Sequence, residues 1–175
     1  MATTYTLISS VTVGSGGAAN IEFTSIPATY TDLLLRVSHR TDRAVSLDGF
    51  YMTINGSTLS SSGATKYLLG DGSSVSSGAS SGFLQIGAST GSSATANTFA
   101  SSNIYITNYT NTSAYKSISF DNVTENNATS SWCFLGAGLY SINTNAITSL
   151  RILSGTGSVN LVQYSTAYLY GISNA

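Results

Sequence analysis

Apolar side chains recur at every second position along almost the whole chain, and nowhere at the three-to-four spacing of an amphipathic helix. Leu33, Leu35, Val37 and His39 share one parity, and Leu34, Arg36, Ser38 and Arg40 share the other. Phe50, Met52 and Ile54 alternate with Tyr51 and Thr53, and Ile104 and Ile106 with Tyr105 and Thr107. Ile118 and Phe120 alternate with Ser117, Ser119 and Asp121. Such runs are short and are separated by clusters of Gly, Ser, Asn and Thr, the pattern of an all-β sandwich or barrel. The reading is one all-β domain over residues 1–175, a jelly-roll-like sandwich of about eight to ten strands. Asn55-Gly56 directly after Ile54 is a hairpin turn signal.

The segment between residues 57 and 102 breaks this pattern. Its Ser- and Gly-rich stretches, 70–78 and 87–93, offer little to bury and read as long surface loops around one strand, Gly82 to Ile86.

Charge limits function. Only 7% of the residues are charged, against about a quarter in a usual globular chain. Six Lys and Arg balance seven Asp and Glu, which argues against a nucleic-acid footprint. No run approaches the roughly 20 apolar residues of a membrane helix. The opening Met1-Ala2-Thr3-Thr4-Tyr5 lacks the basic region of a secretory signal, so the expectation is a cytoplasmic product that is not exported by that route.

Chemistry finds few groups to work with. His39 is the one histidine and Cys133 the one cysteine, too few for a metal site or a disulfide framework. A triad of His39 with Asp32 or Asp42 lacks any Gly-x-Ser-x-Gly elbow, and His39 reads instead as a structural strand residue. Cys133, inside an apolar strand, reads as an inert thiol. Asp121 and Glu125 have the separation of a carboxylate pair, but Asp-Asn-x-x-Glu-Asn-Asn favours an ordinary polar turn. Gly136-x-Gly138 and Gly155-x-Gly157 lack the third glycine of a phosphate-binding loop. The expectation is a protein with no catalytic residues, no metal and no cofactor.

Two features point to partners instead. Trp132, Phe134 and Tyr140 lie on one face of a strand, and Cys133, Leu135, Ala137 and Leu139 on the other. A strand apolar on both faces is central in a core or pressed against another subunit. The run Tyr168-Leu169-Tyr170-Gly171-Ile172 has the same character. Trp132, Phe134, Leu139, Tyr140, Tyr168 and Tyr170 are therefore candidate subunit-interface residues, and a homo-oligomer, a trimer by preference, is expected. Arg36, Arg40 and Arg43 crowd into eight positions and form a candidate charged rim.

Four segments carry a resemblance: Thr4-Tyr5-Thr6-Leu7-Ile8-Ser9-Ser10; Ser25 to Leu33; Asp121 to Asn127; and Tyr164 to Ile172. Together the chain resembles a group of tailed-bacteriophage virion proteins of the aquatic and cyanobacterial type. That resemblance implies a non-enzymatic virion component on a β-sandwich. The leading expectation is a capsid decoration or cement protein bound to the major capsid protein or its neighbours. The alternative is a tail or fibre module that binds host glycans.

Overall fold

The computed structural model describes residues 4–127, 131–155 and 158–173. Met1, Ala2 and Thr3 and the Gly157 noted above lie outside them. The strands are β1 (Tyr5–Thr12), β2 (Asn20–Phe23), β3 (Asp32–His39), β4 (Leu47–Ile54), β5 (Gly63–Gly70) and β6 (Val75–Gly82). They continue with β7 (Leu84–Thr90), β8 (Ala100–Ile106), β9 (Lys116–Val123), β10 (Cys133–Tyr140), β11 (Leu150–Ser154) and β12 (Thr166–Ile172). Among the described residues the only helical element is a 3₁₀ turn at Leu59–Ser61.

The strands form two antiparallel sheets, one in the order β1-β12-β3-β8-β9-β10-β5-β6 and one in the order β2-β11-β4-β7. Strands β1, β12, β3 and β8 facing β2, β11, β4 and β7 are the eight strands of a jelly roll. Two added pairs widen the first sheet: β9–β10 continues outward from β8, and β5–β6 continues from β10. The widened half packs on β7, which meets β8, β9, β10 and β5.

Alternation explains the core. The odd-numbered Leu33, Leu35 and Val37 of β3 and the even-numbered Ile104 and Ile106 of β8 point inward, opposite Phe50, Met52, Ile54, Leu84 and Ile86 of the small sheet. Each fully buried side chain of this size stabilises the fold by roughly 1.5–3 kcal/mol.

Two expectations need correction. The described residues form twelve strands, because most of the supposed loop region is sheet: β5, β6 and β7 lie within residues 57–102. An edge strand needs only one backbone ladder and one side chain to lie over it. The β5–β6 ladder pairs all eight residues of each strand, and the Tyr67 ring occupies the space where a Cβ on Gly78 would sit, 2.5 Å away. Asp71 Oδ1 closes the turn by accepting from the amides of Ser73 (2.8 Å) and Ser74 (2.7 Å). The segment 91–99 remains irregular, and Arg40 holds it.

The second correction concerns Asn55-Gly56. Both residues adopt positive φ, 51° and 71°, as the dipeptide prefers, yet the turn joins no hairpin. It redirects the chain from β4 toward β5 in the other sheet. Asn55 also ties this turn to the segment before β11, accepting from the Thr148 amide (2.8 Å) and donating to the Ala146 carbonyl (2.8 Å).

Candidate functional surface

The register of the large sheet aligns its solvent-facing side chains in rows. One row runs Tyr168, Arg36, Asn103, Asp121, Leu135, Leu68 and Ser77 across β12, β3, β8, β9, β10, β5 and β6. The neighbouring row runs Leu7, Tyr170, Leu34, Tyr105, Ser119, Ala137, Lys66 and Ala79. Three charges, Arg36, Asp121 and Lys66, lie in these two rows.

Its centre is polar and ordered. Arg36 Nε donates to Asn103 Oδ1 (3.0 Å), and Asn103 Nδ2 donates to Asp121 Oδ2 (2.9 Å). Tyr105 donates its hydroxyl to Asp32 (2.6 Å), which also accepts from the Asn108 amide (2.7 Å). That bond to a carboxylate pushes the Tyr105 phenol up to about 12, so it stays a donor at any ordinary pH.

The flanks are apolar. Leu135 is 63% exposed and Leu139 42% exposed on one side, with Leu68 beside them. Tyr5, Leu7 and Tyr168 are exposed on the other. Groove-like depressions follow the flanks, one lined by Leu68, Ala79, Leu135 and Ala137, another by Tyr5, Leu34, Arg36 and Tyr170. Exposed apolar side chains grouped in this way make the two flanks a candidate interaction surface.

The six interface candidates divide by parity. Leu139, Tyr168 and Tyr170 lie on the outer face. Phe134 and Tyr140 do not: they are 4% and 1% exposed, inside the core, and are corrected to packing residues. Gly136 between them leaves room for the Phe120 ring, which stands where its Cβ would be. Trp132 is half-buried against the core, edge-on to Phe134 at 5.8 Å. Leu135 is the most exposed leucine of the face, and its parity with Leu139 was visible. Leu68 was hidden because its strand reads as loop.

The three arginines do not form one patch. Arg36 is on the outer face, but Arg40 is 7% exposed and holds the 91–99 segment through the carbonyls of Thr95 (2.7 Å), Thr98 (2.9 Å) and Ala94 (3.0 Å). Burial without a carboxylate partner lowers its pKa. Arg43 pairs with the buried Asp48 at 2.8 Å. Spacing in sequence brought them together, and strand reversal after β3 separated them.

His39 lies in the core, stacked on Phe50 with ring centroids 3.7 Å apart and bonded through Nε2 to Ser102 Oγ (2.8 Å). Desolvation lowers its pKa to about 3. No triad assembles around it: Asp42 instead accepts from the Asn160 amide (2.8 Å), and Asp32 from Tyr105. Cys133, read as an inert thiol inside an apolar strand, is exposed on the outer face. Glu125 accepts from the Asn127 amide and closes a local turn. Among the described residues no group of three or more His, Cys, Asp or Glu is placed to hold a metal ion. No helix among the described residues is long and apolar enough to cross a membrane.

A buried polar hub carries no local mark in the sequence. Asn122 Nδ2 donates to Ser102 Oγ (2.8 Å) and the Ala88 carbonyl (3.0 Å), and its Oδ1 accepts from the Ala88 amide (3.0 Å). One side chain thus joins β9 of the large sheet to β7 of the small one. Gly87 permits the approach: its φ is 122°, and a Cβ there would lie 2.4 Å from the Asn122 amide carbon. Lys116 is a second such group, its ammonium buried and donating to the carbonyls of Asn111, Ala114 (2.9 Å) and Thr144 (2.9 Å).

No protein-family model, curated protein or solved structure matches this chain.

Proposed function

We propose that the chain is a non-enzymatic structural component of a tailed-bacteriophage virion, a decoration protein that braces the assembled head. It docks on the capsid protein through the outer face of the eight-stranded sheet. The observation that carries this reading is the composition of that face, where Leu7, Leu68, Leu135, Leu139 and Tyr168 stand exposed among few charges. The resemblance in the four sequence segments supports the virion assignment. The copy number per particle, by quantitative mass spectrometry of purified virions, tests it: hundreds of copies support a head protein, and a few dozen or fewer support a tail component.

An interface of this composition is insensitive to salt. Washing virions at about 1 M salt shortens the screening length to roughly 3 Å and weakens exposed ion pairs. The protein is expected to stay on intact heads in such a wash. Its release would assign the attachment to charge pairing.

One arrangement favours the second reading, a tail module that binds host glycans. Tyr168 and Tyr170 stand beside the hydrogen-bonded row Arg36–Asn103–Asp121, so flat rings adjoin planar donors and acceptors. A glycan array with the purified protein separates the readings, since binding weakened by Tyr168→Ala would favour the tail module.

A further inference from the structure

The two sheets have four lateral edges, and three are blunted. Strand β1 carries a bulge between Leu7 and Ser9. Strand β2 is only four residues long. Along β7, Asn122 occupies the Ala88 amide and carbonyl, and Ser62 Oγ accepts from the Leu84 amide (2.9 Å). Bulges, shortness and covering groups are the usual protections of an edge against pairing with another chain.

Strand β6 has none of these. It is eight residues long, pairs with β5 without a register shift, and contains no charge, no proline and no bulge in Val75-Ser76-Ser77-Gly78-Ala79-Ser80-Ser81-Gly82. At the turn, the Asp71 amide donates to the Ser74 carbonyl (3.2 Å), which sets the alternation of the ladder. The backbone groups of Ser76, Gly78 and Ser80 therefore face β5, and those of Val75, Ser77, Ala79 and Ser81 face outward, with no strand beyond among the described residues. Their side chains share the outer face, and Val75 is 81% exposed there.

We propose that β6 is a self-pairing edge, and that two copies of this chain join antiparallel at β6 about a two-fold axis. A second copy suits this edge because its open groups recur in antiparallel order. Ladder geometry requires that outward-facing residues oppose one another. An axis at Gly78 satisfies that rule, setting Ser77 against Ala79 and Val75 against Ser81, with Ser76 opposite Ser80. No like charges meet, and β6 itself carries no side chain larger than that of Val75. Pairing gives the four open residues on each copy their partners and joins two large sheets into one of sixteen strands. It also makes the outer faces of the two copies continuous, which would give any partner surface two contacts at high effective concentration. An isologous contact closes with two copies, so this reading replaces the trimer expected from the apolar strands. It rests on backbone geometry and is independent of the virion assignment.

The experiment is solution mass by light scattering and sedimentation across about 1–100 μM protein, for the intact chain and two variants. Ala79→Pro removes one outward amide and no β5 bond. Ser77→Lys keeps every backbone group and adds the charge that natural edges use as protection. The intact chain is expected to be a dimer at the upper concentrations. Each variant that keeps the far-UV circular dichroism of the parent is expected to dissociate at least tenfold more readily at low salt. Should Ala79→Pro misfold, Ser77→Lys decides. A monomer throughout the range, a trimer, or a dimer unaffected by a folded variant would overturn the proposal.

Discussion

Replacing Asn122 with leucine is expected to destabilise the fold by about 3–5 kcal/mol, from the cost of roughly 1–3 kcal/mol for each buried polar group left without a partner. Leucine matches the volume but offers nothing to the Ala88 amide and carbonyl, which Asn122 satisfies at 3.0 Å each, or to Ser102 Oγ at 2.8 Å. It also excludes the water that a smaller residue would admit. The loss is large against the 5–15 kcal/mol that holds a typical domain. Urea unfolding followed by tryptophan fluorescence checks it, as Trp132 packs at the core margin. A midpoint that falls while the slope stays constant reports lost stability and not a changed unfolded state. An unchanged midpoint would mean that the hub is decorative.

Acid should unfold the protein partly through His39. In the native state its pKa is lowered to about 3, against 6.5 for the free side chain, because the imidazolium has no solvent in the core. Between those values the unfolded chain binds a proton that the native chain excludes, so stability falls as pH falls, by about 1.4 kcal/mol per unit. The native state is expected to lose ~3 kcal/mol from this group by pH 4. Phenylalanine at position 39 keeps a flat ring against Phe50 and removes the titration. Its constant penalty, from the bond lost to Ser102, shifts the whole curve without tilting it. The readout is therefore the slope of unfolding free energy against pH from 7 to 4, shallower in His39→Phe than in the parent. Parallel curves would place the acid sensitivity elsewhere, in the carboxylates.

The elements that alternate cleanly were legible from the residues alone. Strands β3, β4, β8 and β9 each carry apolar residues at every second position, and parity sorted inward from outward without error along β3 and β9. The same parity divided Trp132 to Tyr140 into two faces, but it could not say which was core. That depends on the second sheet, and Gly136, an apparent gap, is what admits Phe120 beneath Phe134 and Tyr140. Strand β6 was not legible, since serine and glycine carry no preference for a face and its order comes from hydrogen bonds to β5. The buried roles of Arg40, Lys116 and Asn122 were equally hidden. Each is a polar residue satisfied by carbonyls or amides distant in sequence, and nothing local marks it.

The position of β12 has a consequence for how the chain comes to be folded. It lies between β1 and β3, so the first strand of the sheet has no ladder partner until residues 166–172 exist. At the usual synthesis rate of about 5–20 residues per second, β1 and the free side of β3 wait on the order of ten seconds or more beside the ribosome. During that interval the nascent sheet has two further open edges, at β1 and at β3, each able to pair with a neighbouring nascent chain. Insertion of β12 removes both at once. The last long strand is therefore a seal, and slowing or losing it would turn a stable product into an aggregating one while leaving most of the core sequence intact.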